Sequence, residues 1–189
     1  MENAKKNTIK IVLIGGENSG KTKFCEYLGN KKQAIDFSNY VPSISAQFLS
    51  KVIIYKNIFY RLDVWDIAGN EKYDQIAKIF YKEADIVFIF FIYNSKNSFR
   101  RANTIFQLAQ INTKPDVIFA LIGNKYDEDK NCLKEEDNIL NEEEILEFVE
   151  KNNLIFGHLS IKENYSDGIN EIFMKVMNEY TKKKKKINI

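Results

Sequence analysis

Residues 15–22 of the chain read Gly15-Gly16-Glu17-Asn18-Ser19-Gly20-Lys21-Thr22, a G-x-x-x-x-G-K-[ST] spacing that is typical of a loop around phosphate groups. Glycines at both ends allow the backbone to turn so that successive N–H groups point at a β-phosphate. The Lys21 ammonium group can reach the β- and γ-phosphates, and the Thr22 hydroxyl can ligate Mg²⁺. The alternative is a glycine-rich turn without a ligand. The pattern favours a nucleoside phosphate but does not select the base.

The sequence on both sides of this loop predicts alternating strands and helices. Residues 9–14 (IKIVLI) form an apolar run typical of a strand that is covered on both faces, and a helix is predicted at about 21–28. Further strands are predicted at 47–56, 58–65, 85–93, 116–123 and 154–159, and helices at 96–111, 142–152 and 169–180. The hairpin at Asn57 adds an antiparallel edge strand. We therefore expect a three-layer α/β fold, with a mostly parallel six-stranded sheet between helices.

The composition indicates one globular domain without a membrane span. The chain has 189 residues, 44% of them hydrophobic, and a net charge of +2. The polar start does not resemble a signal peptide, and no apolar run reaches the ~18 residues of a spanning helix. Cys25 and Cys132 have no metal-ligand spacing, so we expect reduced thiols. These features predict a soluble, cytoplasmic protein.

Two further motifs follow predicted strands. Asp66-Ile67-Ala68-Gly69 places a carboxylate that can hold Mg²⁺ through water, three residues before a glycine whose N–H can meet a γ-phosphate. Asn124-Lys125-Tyr126-Asp127 ends in a carboxylate that can accept both N–H groups of a guanine edge, while Asn124 can tie this loop to the phosphate loop. Adenine offers no matching pair of donors, so the second motif predicts selection of guanine.

With these three motifs in order, the chain resembles the Ras-like small GTPases, from about residue 9 to residue 180. Tyr40-Val41-Pro42-Ser43-Ile44 resembles the family's switch I, and Trp65-Asp66-Ile67-Ala68-Gly69-Asn70-Glu71 resembles its switch II motif W-D-T-A-G-Q-E. Ser160-Ile161-Lys162 resembles its S-A-K loop. The stretches Lys72-Tyr73, 80–85 and 91–94 are most similar to the Rab branch. The resemblance implies the P-loop NTPase fold and a switch that binds GTP or GDP with Mg²⁺ in vesicle trafficking.

The resemblance also implies the members of the site. The residues that it places at the nucleotide are Gly15, Glu17, Asn18, Ser19, Gly20, Lys21, Thr22, Lys23, Phe37, Tyr40, Ser43, Gly69, Asn124, Lys125, Asp127, Ser160, Ile161 and Lys162. The expected Mg²⁺ ligands are Thr22, Ser43 and Asp66, and hydrolysis is expected to depend on Lys21, Gly69 and Asn70. Phe37 would stack on the guanine, although its spacing to Ser43 is one residue short. The expected domain spans 9–181, between a flexible N-terminus (1–8) and a polybasic tail (182–189).

The chain departs from the family pattern at the hydrolysis site. Asn70 stands where the family has a glutamine that orients the attacking water, and its amide is one methylene shorter. Glu17 stands where the family has Gly or Ser, and its carboxylate would crowd an arginine finger and repel developing negative charge. Ser43 in place of threonine keeps its hydroxyl. We expect slow intrinsic hydrolysis. The alternative is that a partner supplies the missing group, or that Glu17 points to solvent.

The C-terminal sequence departs as well. It contains no cysteine for prenylation, and Glu2 excludes N-myristoylation. The five lysines at 182–186 can bind an anionic membrane reversibly, and the alternatives are a solvated helix end or, less favoured, a nuclear or nucleic-acid role. The acidic stretch 128–141 is expected to be a surface loop. His158 is expected to be structural.

Three functions follow from these observations. The first is a Rab-like GTPase switch that meets effectors, exchange factors and GTPase-activating proteins through residues 36–50 and 66–82. The second is a constitutively GTP-bound scaffold, motivated by Glu17 and Asn70. The third, an ATP-using phosphotransferase, is disfavoured by the guanine motif. We expect a monomer without nucleic acid, in the cytoplasm or held at a membrane by a partner.

Overall fold

The computed structural model describes residues 7–30, 46–124, 140–159 and 165–187. Within them, six strands form one sheet in the order β2-β3-β1-β4-β5-β6. The strands are β1 (Thr8–Gly15), β2 (Ala46–Tyr55), β3 (Ile58–Ile67), β4 (Ile86–Ile92), β5 (Ile118–Asn124) and β6 (Ile155–His158). All neighbouring pairs are parallel except β2 and β3. The predicted mixed sheet with one antiparallel edge strand is confirmed.

The β2–β3 hairpin turns at Lys56 and Asn57. Both residues have positive φ angles, 49° and 61°, as the central residues of a type I′ turn require. Asparagine tolerates this conformation better than most residues. The predicted hairpin at Asn57 is confirmed; β2 begins and ends one residue earlier than predicted, and β3 continues two residues further.

Helices cover both faces of the sheet. In the described ranges they are α1 (Lys21–Asn30), α2 (Asp74–Tyr81), α3 (Lys96–Asn112), α4 (Glu142–Lys151) and α5 (Tyr165–Ile187), with a short 3-10 helix at Glu71–Tyr73 before α2. Phe24 of α1 and Val176 of α5 belong to the core on one face, whereas Tyr81 of α2, Phe106 of α3 and Ile145 of α4 belong to the core on the other. None of these helices is both long and apolar enough to cross a membrane.

The ends of two helices differ from the sequence expectation. Asn141 and Glu144 have the sequence spacing of a capping box. Asn141 caps α4 by accepting a hydrogen bond from the Glu143 N–H, but Glu144 forms an ion pair with Lys96 at 3.0 Å. The last helix, predicted at 169–180, begins earlier and runs to Ile187. The lysines at 182–186 therefore lie on the last turns of α5, where positive charge complements the helix dipole.

A buried lysine connects α1 to the edge strand. Lys51 of β2 is only 5% exposed, and its ammonium group donates hydrogen bonds to the carbonyls of Leu28 and Gly29 in the last turn of α1. These carbonyls lack partners within the helix, and the last turn of α1 itself contains no basic residue. Lys51 thus supplies a cation at this helix end.

Replacing Lys51 with methionine is expected to lower the free energy of unfolding by about 1–3 kcal/mol, because the helix-end carbonyls lose a buried charged donor while the apolar stem is kept. Urea unfolding measures the change. Lys175→Met is the control, since its ion pair with Glu171 is exposed and is worth no more than about 1 kcal/mol. Equal urea midpoints for the two variants would contradict this role of Lys51.

Candidate functional site

Three of the predicted motifs meet at one edge of the sheet. Parallel strands bring their carboxyl ends to the same side. Gly15 is the last residue of β1, Asp66 lies near the end of the adjacent β3, and Asn124 ends β5. The register pairs Leu13 with Asp66, Gly15 with Phe90 and Ile92 with Asn124, so the motif residues lie at similar heights across the sheet.

The phosphate loop has the backbone conformation that its glycines permit. Gly15 has a φ of 145° and Gly20 a φ of 99°, and Asn18 between them has a φ of 57°. Inside the loop the buried Ser19 hydroxyl donates to the Gly16 carbonyl at 2.8 Å. Helix α1 begins directly after the loop at Lys21, so its N-terminal N–H groups face the same space.

Lys21 lies across the loop. Its side chain is 6% exposed, and Nζ donates to the carbonyls of Gly15 at 3.0 Å and Gly16 at 2.7 Å. Burial lowers the pKa of the ammonium group, and the carboxylates of Asp66 and Glu17 oppose this effect. A cation held in this way is positioned to bind phosphate oxygens. Their negative charge would favour the protonated lysine and so offset the effect of burial on its pKa.

Thr22 and Asp66, two of the expected Mg²⁺ ligands, are in direct contact. The Thr22 hydroxyl donates to Asp66 Oδ2 at 2.7 Å. Asp66 Oδ1 is buried and has no hydrogen-bond partner among the described residues. Burial raises the pKa of this carboxyl group, opposed by the Thr22 hydrogen bond and by Lys21. An acceptor oxygen without a partner beside a hydroxyl suits a hard divalent cation and its water, so these residues fit Mg²⁺.

Gly69 lies directly against the phosphate loop. A Cβ atom at this position would lie 2.5 Å from the Gly16 carbonyl carbon and 2.6 Å from the Glu17 nitrogen. Only glycine allows the segment after β3 to approach the loop so closely. An open cleft of about 440 Å³ lies beside this contact, and its lining includes Glu17, Asn18, Lys21, Thr22, Gln47, Asp66 and Gly69.

Asn124 connects the expected base site to the phosphate loop. Its Nδ2 donates to the Ser19 carbonyl at 2.9 Å, so the predicted tie between the two loops is confirmed. The side chain is 1% exposed, and its Oδ1 atom has no hydrogen-bond partner in the described ranges. This oxygen can accept a further hydrogen bond at the place where the guanine motif begins.

The two unusual residues of the hydrolysis site contact each other. Asn70 Nδ2 donates to Glu17 Oε1 at 2.8 Å, and Asn70 Oδ1 accepts from the Lys72 N–H at 3.2 Å, which caps the 3-10 helix. Glu17 is exposed but does not simply point to solvent, because it holds the Asn70 amide. Both ends of that amide are occupied by protein groups.

The other expected site residues divide into two groups. Lys23 is on α1 with its ammonium group 3.1 Å from Glu26, and its side chain is 75% exposed. The remaining members lie outside the described residues, and so does most of the acidic stretch 128–141; these members are Phe37, Tyr40, Ser43, Lys125, Asp127, Ser160, Ile161 and Lys162.

Two features beside the site were not predicted from the sequence. Arg101 of α3 forms a two-pronged ion pair with Asp74 at the start of α2, at 2.6 and 2.7 Å. The rings of Phe48, Trp65 and Phe80 pack in a row, with centroids 4.7 and 5.0 Å apart. The available signals were an arginine between Phe99 and Ala102 of the apolar stripe of α3, and a tryptophan on the half-exposed face of β3.

Comparison with known proteins agrees with this geometry. A family model described as "Ras family" matches residues 10–182. The chain is 33% identical to Ras-related protein Rab-17 of Mus musculus over 171 residues, 90% of this chain and 74% of that protein. It is 31% identical to a Probable Rab-related GTPase of Acanthamoeba polyphaga mimivirus over 180 residues, 94% and 79% of the two chains. The match to Ras-related protein RABG3f of Arabidopsis thaliana, at 32% identity, spans 68% of this chain and 63% of that relative, less than two thirds of its length.

Proposed function

The chain belongs to the Ras family of small GTPases and is most similar to its Rab members, and on this premise we propose that it is a GTP- and GDP-binding switch with slow intrinsic hydrolysis. The observation that carries the proposal is the meeting of Lys21, Asp66, Gly69 and Asn124 at one edge of the sheet. These residues offer a cation, a metal-binding carboxylate, a close backbone N–H and an anchor for the base loop. Residues 9–181 would form the nucleotide-binding domain.

Hydrolysis would proceed by in-line attack of water on the γ-phosphoryl group. Lys21 and the phosphate-loop N–H groups would stabilise the charge that develops on the phosphate oxygens. The Gly69 N–H would bind the γ-phosphate. Mg²⁺, held by Thr22, Ser43 and, through water, Asp66, supplies charge neutralisation when bound. Asp127 would accept the guanine N–H groups while Asn124 keeps its loop in place.

The direct test is the nucleotide that the purified protein carries. The protein is denatured, and the released nucleotide is identified by anion-exchange chromatography. Guanine nucleotide near one per chain supports the proposal; GDP would show that turnover occurs, and GTP would favour the constitutively loaded scaffold. Two results would overturn the proposal. One is the absence of guanine nucleotide together with no binding of added GTP in Mg²⁺, and the other is a preference for ATP over GTP.

Slow hydrolysis is proposed because Asn70 is shorter than the family's glutamine and because Glu17 holds its amide. Both residues act on the same step. Asn70→Gln combined with Glu17→Gly is expected to accelerate single-turnover hydrolysis by about tenfold or more, because the longer amide then reaches the water position without being held by the carboxylate. Asn70→Gln alone should gain less, since Glu17 can still accept its amide. The two substitutions are therefore expected to be non-additive.

Asn103→Gln is the matched control, because it makes the same change on α3, where Asn103 contacts Gln107. It should hydrolyse GTP at the wild-type rate. A wild-type protein that is already fast, or a double variant with no gain, would remove Glu17 and Asn70 as the cause. A GTPase-activating protein that discharges the wild type would exclude the constitutively GTP-bound scaffold.

Partners are proposed to meet the two switch regions, 36–50 and 66–82. Phe48, Trp65 and Phe80 connect these regions as a half-exposed row of rings, and Ile76 and Ile79 of α2 are 46% and 67% exposed beside it. Exposed apolar and aromatic side chains are typical of protein interfaces. We propose this surface for effectors, exchange factors and GTPase-activating proteins, and a trafficking role rests on the similarity to Rab proteins.

The lysines at the end of α5 are proposed to add a weak, reversible attraction to anionic membranes. Lys182, Lys185 and Lys186 are exposed on the last turns of the helix, whereas Lys183 lies near the carbonyls of Asp116 and Val117. Each exposed lysine near such a surface contributes about 1 kcal/mol, and salt weakens the effect. Binding to vesicles that contain phosphatidylserine, if it is lost at high salt, would support this electrostatic attraction. Equal binding to neutral vesicles would contradict it.

A further inference from the structure

The segment 70–74, which lies within the second switch region (66–82), has side-chain contacts at both ends. At one end Asn70 donates to Glu17 of the phosphate loop at 2.8 Å. At the other end Asp74 accepts two hydrogen bonds from Arg101. The 3-10 helix between these two contacts is capped by Asn70 and leads into α2. The segment is thus connected by side chains to both the phosphate loop and α3.

Arg101 connects three parts of the molecule. Its side chain is 14% exposed and that of Asp74 is 25% exposed, so this pair is shielded from water on most sides. Its aliphatic part lies beside the phosphate loop, with Cγ 3.6 Å from the position of a Cβ at Gly16. Its Nε lies 4.0 Å from Glu71. Paired, planar arginine–carboxylate contacts are among the strongest charged hydrogen bonds in proteins.

We propose that Arg101 is a positioning residue that, together with Glu17, keeps the segment 70–74 on the phosphate loop whichever guanine nucleotide is bound. Each contact joins two protein side chains, so none of them requires a γ-phosphate. Partners would then meet the segment 70–74 as a surface that does not change with the nucleotide. This inference rests on the proposed function and specifies how the same site is regulated.

Hydrogen exchange of the α2 amides tests the proposal on the full chain loaded with GDP or with GTPγS. In the wild type, we expect the exchange rates of residues 74–81 to agree within about twofold between the two forms. In Arg101→Gln, exchange should be about tenfold faster with GDP, whereas the contact of Gly69 with the γ-phosphate should restore protection with GTPγS. A merely structural role would accelerate exchange equally in both forms.

Arg100→Gln is the matched control, since its side chain is exposed one position earlier on the same helix, and it should exchange like the wild type. The exchanged pair Asp74→Arg with Arg101→Asp should restore most of the nucleotide-independent protection. If the protein binds guanine nucleotide, two results would overturn this inference alone. One is a more than tenfold difference in α2 amide exchange between the GDP and GTPγS forms of the wild type. The other is an Arg101→Gln variant that exchanges like Arg100→Gln. Failure to bind guanine nucleotide at all would overturn the proposed function, and this inference with it.

Discussion

Replacing Lys21 with methionine is expected to weaken GDP and GTP binding by roughly 30-fold to 5,000-fold, or about 2–5 kcal/mol, which is the usual effect of removing one partner from a buried charged pair. Methionine keeps the length of the side chain but removes all three donors. Lys21 is buried within the loop, so no other lysine can take its place without rearrangement. Titration with a fluorescent guanine nucleotide measures the change.

The Lys175→Met control makes the same substitution on the exposed side of α5 and should bind nucleotide as the wild type does. Circular dichroism separates a binding defect from unfolding, because Lys21 also bonds the carbonyls of Gly15 and Gly16. A folded Lys21→Met protein that binds within threefold of the wild type would mean that the loop does not hold phosphate through this lysine.

The fold could be predicted because its signals are local and repeated. The apolar run before the phosphate loop, now β1, has Ile11 and Leu13 in one core and Val12 and Ile14 in the other, as expected of a strand covered on both faces. A loop of defined spacing after this strand and a hairpin at Asn57 then leave few topologies. The period of the hydrophobic residues determines which segments form the strands of the sheet, whereas capping and charge determine where the helices end.

The ends of the helices were less predictable because propensity there competes with tertiary contacts. Helix α5 continues to Ile187 through a lysine run that has no apolar stripe to mark it. Part of the explanation is Lys183, whose ammonium group lies 3.4 Å from the carbonyl of Val117, the residue before β5. The 3-10 helix and α2 after Gly69 were not predicted as elements, since their helical residues 71–81 contain only two buried positions, Ala77 and Tyr81.

The site was predictable where a motif specifies backbone, and not where side chains meet across the fold. The spacing around Lys21 and the position of Asn124 after a strand were enough to expect their approach. The pairs Glu17–Asn70 and Asp74–Arg101 join residues 53 and 27 positions apart, and neither pair has a spacing rule. The sequence identified Glu17 and Asn70 as unusual, but only the geometry shows that they hold each other.

Replacing Gly20 with alanine is expected to lower the free energy of unfolding by about 2–6 kcal/mol, the sum of backbone strain and a lost buried hydrogen bond. Gly20 has a φ of 99°, and a Cβ there would lie only 1.8 Å from Asn124 Nδ2. Alanine must therefore displace the side chain that ties the base loop to the Ser19 carbonyl. Urea unfolding measures the stability, and guanine nucleotide affinity should fall in parallel.

Gly29→Ala is the control that separates this clash from the general effect of adding a methyl group. Gly29 lies in α1, and among the described residues a Cβ there would meet only Leu49 side-chain atoms, at 3.6 and 3.7 Å, which is ordinary contact. Alanine favours a helix over glycine by up to about 1 kcal/mol, so this variant should be neutral or slightly more stable. If Gly20→Ala unfolds at the same urea concentration as Gly29→Ala and still binds guanine nucleotide, the contact between Gly20 and Asn124 does not connect the base loop to the phosphate loop.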